Sequence, residues 1–191
     1  PPPFFLQAED GIRDRSPSRG LGDVYNRQVL LRAVAATPVE DRIPLVLAGA
    51  ISCAGSDLFP DYAALGQSLG VSDYITFTGS VSDRDKIGLI ASASAFVFPS
   101  IYEGFGLEPL EAMALGTPVI CSSAGSLPEV GGNAAITLAP DDIDGWSKAM
   151  YSISNKNLKA QHFASLRLNN AKEFTSDRTP RITYEIYREL T

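Results

Sequence analysis

From Ile43 onward, short apolar runs closed by glycine alternate with longer mixed stretches, a rhythm that predicts strands alternating with helices around a parallel sheet. Strands are expected at Ile43–Ala48, Tyr74–Thr78, Ala95–Pro99, Pro118–Cys121 and, least apolar of the five, Ala135–Leu138. Most are nearly continuous apolar runs without period-two alternation, as befits strands covered by helices on both faces. Helices are expected at Asp61–Leu69, Asp83–Ser92, Pro109–Ala114 and Ile143–Ser152, each bounded by Gly, Pro, Ser or Asp. Two more close the chain: one over Asn155–Phe174, and one in which Ile182, Ile186 and Leu190 make a single helical stripe. The fold class is therefore α/β, a Rossmann-like parallel sheet with flanking helices. In such sheets ligands gather outside the carboxyl ends of the strands, which directs attention to the loops after Ala48, Thr78 and Pro99.

The segment Phe4–Gln28 breaks this rhythm. It holds Arg13, Arg15, Arg19 and Arg27 among glycines and a proline, and shows neither helical nor strand periodicity. It reads as a loop or disordered arm. It also closely resembles the peptide obtained when a sequencing adapter is translated in frame. That origin would make it non-native and place the start of the natural sequence near Val29; a genuine Arg-rich anion-binding arm is the competing reading. The expected division is thus an arm over residues 1–28 and one domain over 29–191.

The 191 residues, 45% hydrophobic and 20% charged, suit one ordinary core and so one site, or half of a larger one. No apolar run reaches the roughly 18 to 20 residues a bilayer span requires, and no signal-peptide pattern is present. A soluble, cytoplasmic protein is the expectation, with the membrane surface left open for a full-length form. A net charge of −6 disfavours nucleic acid as a partner. Cys53 and Cys121 sit among apolar neighbours and read as reduced, buried thiols. Neither metal nor cofactor is expected. Asp141, Asp142 and Asp144 read as a solvated helix start, and His162, the sole histidine, as a surface or satisfied side chain.

Ser100–Pro118, SIYEGFGLEPLEAMALGTP, follows a buried strand directly and joins strand, glycine-rich turn and helix. Gly104 and Gly106 suit a sharp turn or a close ligand, and Pro109 suits a first helical turn. The amides around Phe105–Glu108 would then lie at the positive end of the helix macrodipole, where a phosphate or sugar oxygen is favourably held. A tight βα connection would need the same glycines. Glu103 stands before the turn and Glu111 is expected in the first turn of the helix. Ionised glutamates accept hydrogen bonds only, so a pair bracketing a cleft suits a ligand rich in hydroxyls, such as a sugar and a ribose. The alternatives are a dipole-complementing Glu111 and a solvated Glu103.

This stretch resembles the E-x7-E signature of the family 4, or group 1, retaining glycosyltransferases in its glutamate spacing, GFGL turn, Pro109, Glu-Ala-Met run and Gly-Thr-Pro ending. Phe77–Val81 is similar to that family's turn beside the donor base, and Gly125–Val130 to its short helix after the next strand. Phe174-Thr-Ser-Asp-Arg-Thr resembles its motif before the last helix, with Ser176 where a Trp is usual. The resemblance covers about Val29–Leu190 and implies the C-terminal, donor-binding half of a GT-B fold. It implies transfer of a sugar, with retention, from a UDP- or GDP-linked nucleotide diphosphate-sugar to a carbohydrate or lipid-linked acceptor, without a bridging metal. Glu103 would meet hydroxyls of the transferred sugar as the catalytic residue, and Glu111 the ribose diol. The amides of Phe105, Gly106 and Leu107 would meet sugar or diphosphate, and Gly79–Val81 would flank the base.

One departure bears on activity. The family's first strand and basic loop, with an Arg and a Lys for the diphosphate, should precede the helix at Val29–Ala36, where the adapter-like segment stands. Arg13, Arg15 and Arg19 do not match that motif, so a truncated, inactive transferase is expected. An inert nucleotide-binding fragment and another GT-B enzyme, such as a sugar-nucleotide epimerase, are the alternatives.

Overall fold

The computed structural model describes residues 2–7, 26–49, 61–155, 168–174 and 188. Its strands are β1 (Phe4–Gln7), β2 (Leu45–Ala48), β3 (Ile75–Gly79), β4 (Ala95–Phe98), β5 (Val119–Ser122) and β6 (Ala135–Leu138). Its helices are α1 (Arg27–Ala36), α2 (Tyr62–Ser68), α3 (Asp83–Ser92), α4 (Leu107–Ala114), α5 (Leu127–Gly131) and α6 (Ile143–Ser154), and residues 168–173 are also helical. The strands form one sheet in the order β3-β2-β1-β4-β5-β6, every neighbouring pair parallel. The elements expected from Val29 to Ser152 are all present, with ends displaced by no more than two residues. The Ile182–Leu190 stripe lies outside the described residues apart from Arg188, as does Cys53.

The expected arm over residues 1–28 needs correction at both ends. Phe4–Gln7 is a central strand, paired with β2 on one side and β4 on the other. Phe4, Phe5 and Leu6 are 0%, 1% and 1% exposed. The Phe5 ring lies 6.1 Å from that of Phe96, which stacks in turn on Phe98 at 5.9 Å. Backbone bonds extend the pairing: the Phe4 N–H donates to the Pro44 carbonyl at 2.8 Å and the Ser94 N–H to that of Pro3 at 2.9 Å. At the other end Arg27 and Gln28 begin α1, and Arg27 is buried. A run of three apolar residues is too short for periodicity to register, and the arginines that follow it dominate the composition of the window. What makes it a strand is the gap between β2 and β4, where its backbone groups can pair and its three apolar side chains can leave water. Residues 8–25, with Arg13, Arg15 and Arg19, lie outside the described residues.

The chain winds outward from the sheet centre in both directions, β1 to β3 on one side and β4 to β6 on the other. Right-handed crossovers therefore put α1 and α2 on one face and α3, α4 and α5 on the other. The helix after β6, α6, packs along α1, where Thr37 and Ser147 share a hydroxyl hydrogen bond of 2.8 Å. Trp146 of α6 is fully buried, and its indole N–H donates to the Ala139 carbonyl at 3.0 Å. Strands β2, β4 and β5 are buried along their whole length, as their apolar runs foretell. The outer strand β3 is not: beyond Ile75 it is exposed, because an edge strand has a neighbour on one side alone. Cys121 in β5 is a buried free thiol; burial pushes it from 9.0 up to about 11, against a smaller opposing effect of its hydrogen bond with Thr137.

Truncating Phe5 to Ala removes a buried ring from the centre of the sheet, so Phe5→Ala is expected to cost roughly 3–5 kcal/mol of unfolding free energy in a urea titration. A disordered arm at this position would leave the midpoint unchanged.

Candidate functional site

All six strands are parallel, so their carboxyl ends lie along one edge of the sheet, and the winding reverses between β1 and β4. A crevice opens where successive connections depart to opposite faces. The loop following β4, Pro99–Gly106, emerges at this point and carries Glu103.

That loop is held from below by polar contacts to the next strand and turn. The Ser100 hydroxyl donates to the Tyr102 carbonyl at 3.2 Å, and the Ser122 hydroxyl, at the end of β5, donates to the carbonyl of Ser100. The backbone of Glu103 is gripped by the β5–α5 turn. The Ser126 N–H and hydroxyl approach the Glu103 carbonyl at 3.4 and 3.3 Å, and the same hydroxyl reaches the Phe105 carbonyl at 2.8 Å. Gly125 passes so close, in the left-handed region at φ 56°, that a Cβ there would lie 2.7 Å from the Glu103 carbonyl oxygen. Any side chain at this position would collide with backbone, so glycine alone fits.

Gly106 caps α4 at φ 91°, and a Cβ on it would sit 2.7 Å from Cδ2 of the buried Leu127. The helix starts at Leu107, two residues before the expected Pro109. Proline is compatible with the third position because the first four N–H groups of a helix have no intrahelical partner. This shift corrects the placement of Glu111: it lies in the second turn, and the first-turn carboxylate is the buried Glu108. Glu108 thus takes the dipole-complementing position that was the alternative reading of Glu111. The N-cap residue, Gly106, has no side chain with which to cap the helix, whose N-terminal end faces the loop. Phe105 packs edge-on against Phe174 at 6.0 Å, and Asn170 donates to the Val130 carbonyl at 2.7 Å, bracing loop and α5 with the helix over residues 168–173.

Glu111 faces α3. Its Oε2 pairs with the Lys86 ammonium at 2.7 Å, in a cleft of ≈ 480 Å³ between α3 and α4 that Asp83, Ile87 and Leu115 also line. The Lys86 side chain is 18% exposed and that of Glu111 47%. A pair this accessible to water contributes only about 0.2–1 kcal/mol to stability. Lys86 did not stand out in the sequence, although a signal was there: it lies four residues before the buried Ile90, on the face that α3 turns inward. Gly79 ends β3 at φ 66°, accepts the Gly49 N–H at 2.8 Å, and leads through the half-buried Val81 into α3. The structure therefore places the expected residues in three groups: Gly79 and Val81 before α3; Glu103, Phe105, Gly106 and Leu107 in the turn after β4; and Glu111 in the cleft with Lys86.

This architecture has counterparts. The chain matches the family Glycosyl transferases group 1 across residues 20–168. It belongs to that family. It is 35% identical over 167 residues to O-antigen chain mannosyltransferase B of Escherichia coli, covering 86% of this chain and 43% of that protein. To the MMP alpha-(1->4)-mannosyltransferase of Mycolicibacterium hassiacum it is 37% identical over 146 residues, 74% of this chain and 34% of the other. Among solved structures, sucrose-phosphate synthase from Thermosynechococcus elongatus superposes with a TM-score of 0.74 at 26% identity, over 99% of this chain and 45% of that one. Anabaena HepE in complex with UDP does so with a TM-score of 0.75 at 19% identity, over 98% and 48%. The chain spans less than half the length of these relatives, and its fold is that of one half of the GT-B glycosyltransferases.

Replacing Gly125 by Ala forces the β5–α5 turn away from Glu103. The variant is expected to keep its core, since the turn lies outside the sheet, while amide exchange at Ser126, whose N–H reaches the Glu103 carbonyl, accelerates roughly tenfold. Unchanged exchange there would show that the turn does not hold the loop.

Proposed function

We propose that this chain is the donor-binding half of a retaining glycosyltransferase, which moves a sugar from a UDP- or GDP-linked nucleotide diphosphate-sugar to an acceptor hydroxyl. The observation that carries this reading is the loop Pro99–Gly106 emerging at the reversal of winding, with Glu103 on it and a helix start capped by a glycine behind it. Cleavage of the bond between the anomeric carbon and the diphosphate leaves negative charge on the departing phosphate. The amides of Phe105, Gly106 and Leu107 and the positive end of α4 suit that charge. Glu103 accepts hydrogen bonds from hydroxyls of the transferred sugar, and the acceptor oxygen bonds to the anomeric carbon on the face the diphosphate leaves, giving its proton to the departing phosphate oxygen. Glu111 accepts the ribose diol in the α3–α4 cleft, and Gly79–Val81 flank the base.

The mannosyltransferase relatives and the UDP complex of HepE support a nucleotide-sugar as the donor and a glycan as the acceptor. A lipid-linked carbohydrate fits the same role. The chemistry proposed requires neither metal nor cofactor, because the amides and the helix end supply the positive potential. No helix among the described residues is long and apolar enough to cross a membrane; a cytoplasmic location, at the membrane surface or away from it, is part of the proposal.

Transfer also needs an acceptor hydroxyl held against the anomeric carbon in a cleft closed to water. By itself the chain is expected to bind nucleotide and transfer no sugar. Calorimetric titration with UDP and GDP tests the first half. Glu111→Gln should weaken the better-bound nucleotide roughly 10- to 100-fold, the loss of a charge-assisted hydrogen bond, with the melting temperature little changed. Equal affinity in the variant would remove Glu111 from the nucleotide site.

A further inference from the structure

We propose that Lys86 is a positioning residue for nucleotide recognition, holding the Glu111 carboxylate in the orientation that grips a ribose diol. The inference rests on the reading that Glu111 takes the ribose. A glutamate on the outer side of a helix has three side-chain torsions and, at 47% exposure, little around it to select among their rotamers. To accept two hydroxyl hydrogens from one diol, its carboxylate plane must be fixed before the ligand arrives, or the ordering cost is drawn from binding. The ammonium of Lys86, 2.7 Å from Oε2, fixes it. The ammonium is the better restrained partner, being 18% exposed against the inner side of α3.

The position of Lys86 is itself set by the turn after β3. Helix α3 begins immediately beyond Gly79–Val81, where the Ser82 hydroxyl accepts the Asp85 N–H at 3.2 Å and donates to the Asp85 carboxylate at 2.7 Å. This reciprocal cap fixes the first turn of α3, and Lys86 follows directly. At its far end α3 is tied to the segment after α4, where the buried Thr117 hydroxyl donates to the Ile90 carbonyl at 2.9 Å. Lys86 and the buried Ile90 thus line the same cleft as Glu111. Lys86 couples the turn proposed for the base to the carboxylate proposed for the ribose, two groups that lie on separate stretches of the chain. It also neutralises Glu111, so that a nucleotide diphosphate entering the cleft meets a compensated charge in a protein of net charge −6.

Titrations of this chain with UDP and GDP, each beside its 2′,3′-dideoxy counterpart, test the assignment. The readout is the preference for the ribose form over the dideoxy form. Glu111→Gln should abolish that preference, Lys86→Met should lower it at least fivefold, and Lys86→Arg should restore most of it. In the double variant Lys86→Met with Glu111→Gln, the preference should be no smaller than in Glu111→Gln alone, since Lys86 acts through Glu111. Lys86→Gln serves in place of Lys86→Met if the latter does not fold. A preference retained in Lys86→Met or Lys86→Gln but lost in Glu111→Gln overturns the role of Lys86 and leaves the ribose reading standing. A preference retained in Glu111→Gln overturns the ribose reading and this inference with it, as does the absence of saturable binding of either nucleotide at millimolar concentration.

Discussion

Parallel pairing of Phe4–Gln7 between β2 and β4 is the constraint on which the rest of the structure depends. Without β1 the sheet is two separate wings, β3 with β2 and β4 with β5 and β6, each too narrow to bury its own helices. With β1 in place, β2 and β4 are set two strand spacings apart, about 10 Å, and Phe5, Phe96 and Phe98 make a continuous aromatic line across the join. The reversal of winding falls at the same join. The pairing that completes the core therefore also opens the crevice over which the Glu103 loop stands.

The loop needs a second layer of support, because a glycine-rich turn has little intrinsic conformation of its own. That support comes from the neighbouring connection rather than from within the loop. Gly125 admits the Glu103 backbone to close approach, Ser126 hydrogen-bonds its carbonyls, and Leu127 fills the space under Gly106. Three successive residues of one turn thus shape another that lies about twenty residues earlier in the chain. Specific backbone bonds fix the loop, while the helix behind it supplies a fixed dipole whose N-cap is a glycine. The result is a turn held almost wholly by contacts to its backbone.

The cleft between α3 and α4 is constructed differently. Helix α3 buries a single residue fully, Ile90, and α3 meets α4 near its start through one ion pair, among the described residues. Packing at that point is slight, so the charge of Lys86 bears on the Glu111 side chain more than packing beneath it does. The two carboxylates of the E-x7-E stretch therefore have different supports. Glu103 rides on a pinned backbone, and Glu111 on an electrostatic partner from another helix.

Much of this was legible in the sequence. Buried parallel strands must be apolar on both faces, and IPLVLA, AFVFP and PVIC announce themselves as such. The turn carrying Glu103 was legible too, because its glycines, proline and glutamates together resemble a family signature, although each residue alone had an ordinary structural use. Three features were decided by tertiary structure alone. Phe4–Gln7 is too short to show a period, and becomes a strand only because two others leave a slot between them. The register of α4 moved Glu111 into the second turn, since a proline near a helix start is compatible with more than one boundary. The spacing of Lys86 to Ile90 hints at its side of α3, but its pairing with Glu111 exists only once the crossover from β3 to β4 lays α3 beside α4. Local propensity and periodicity are properties of neighbours in sequence; pairings between distant segments depend on what surface each leaves unfilled, and that is settled when the whole sheet closes.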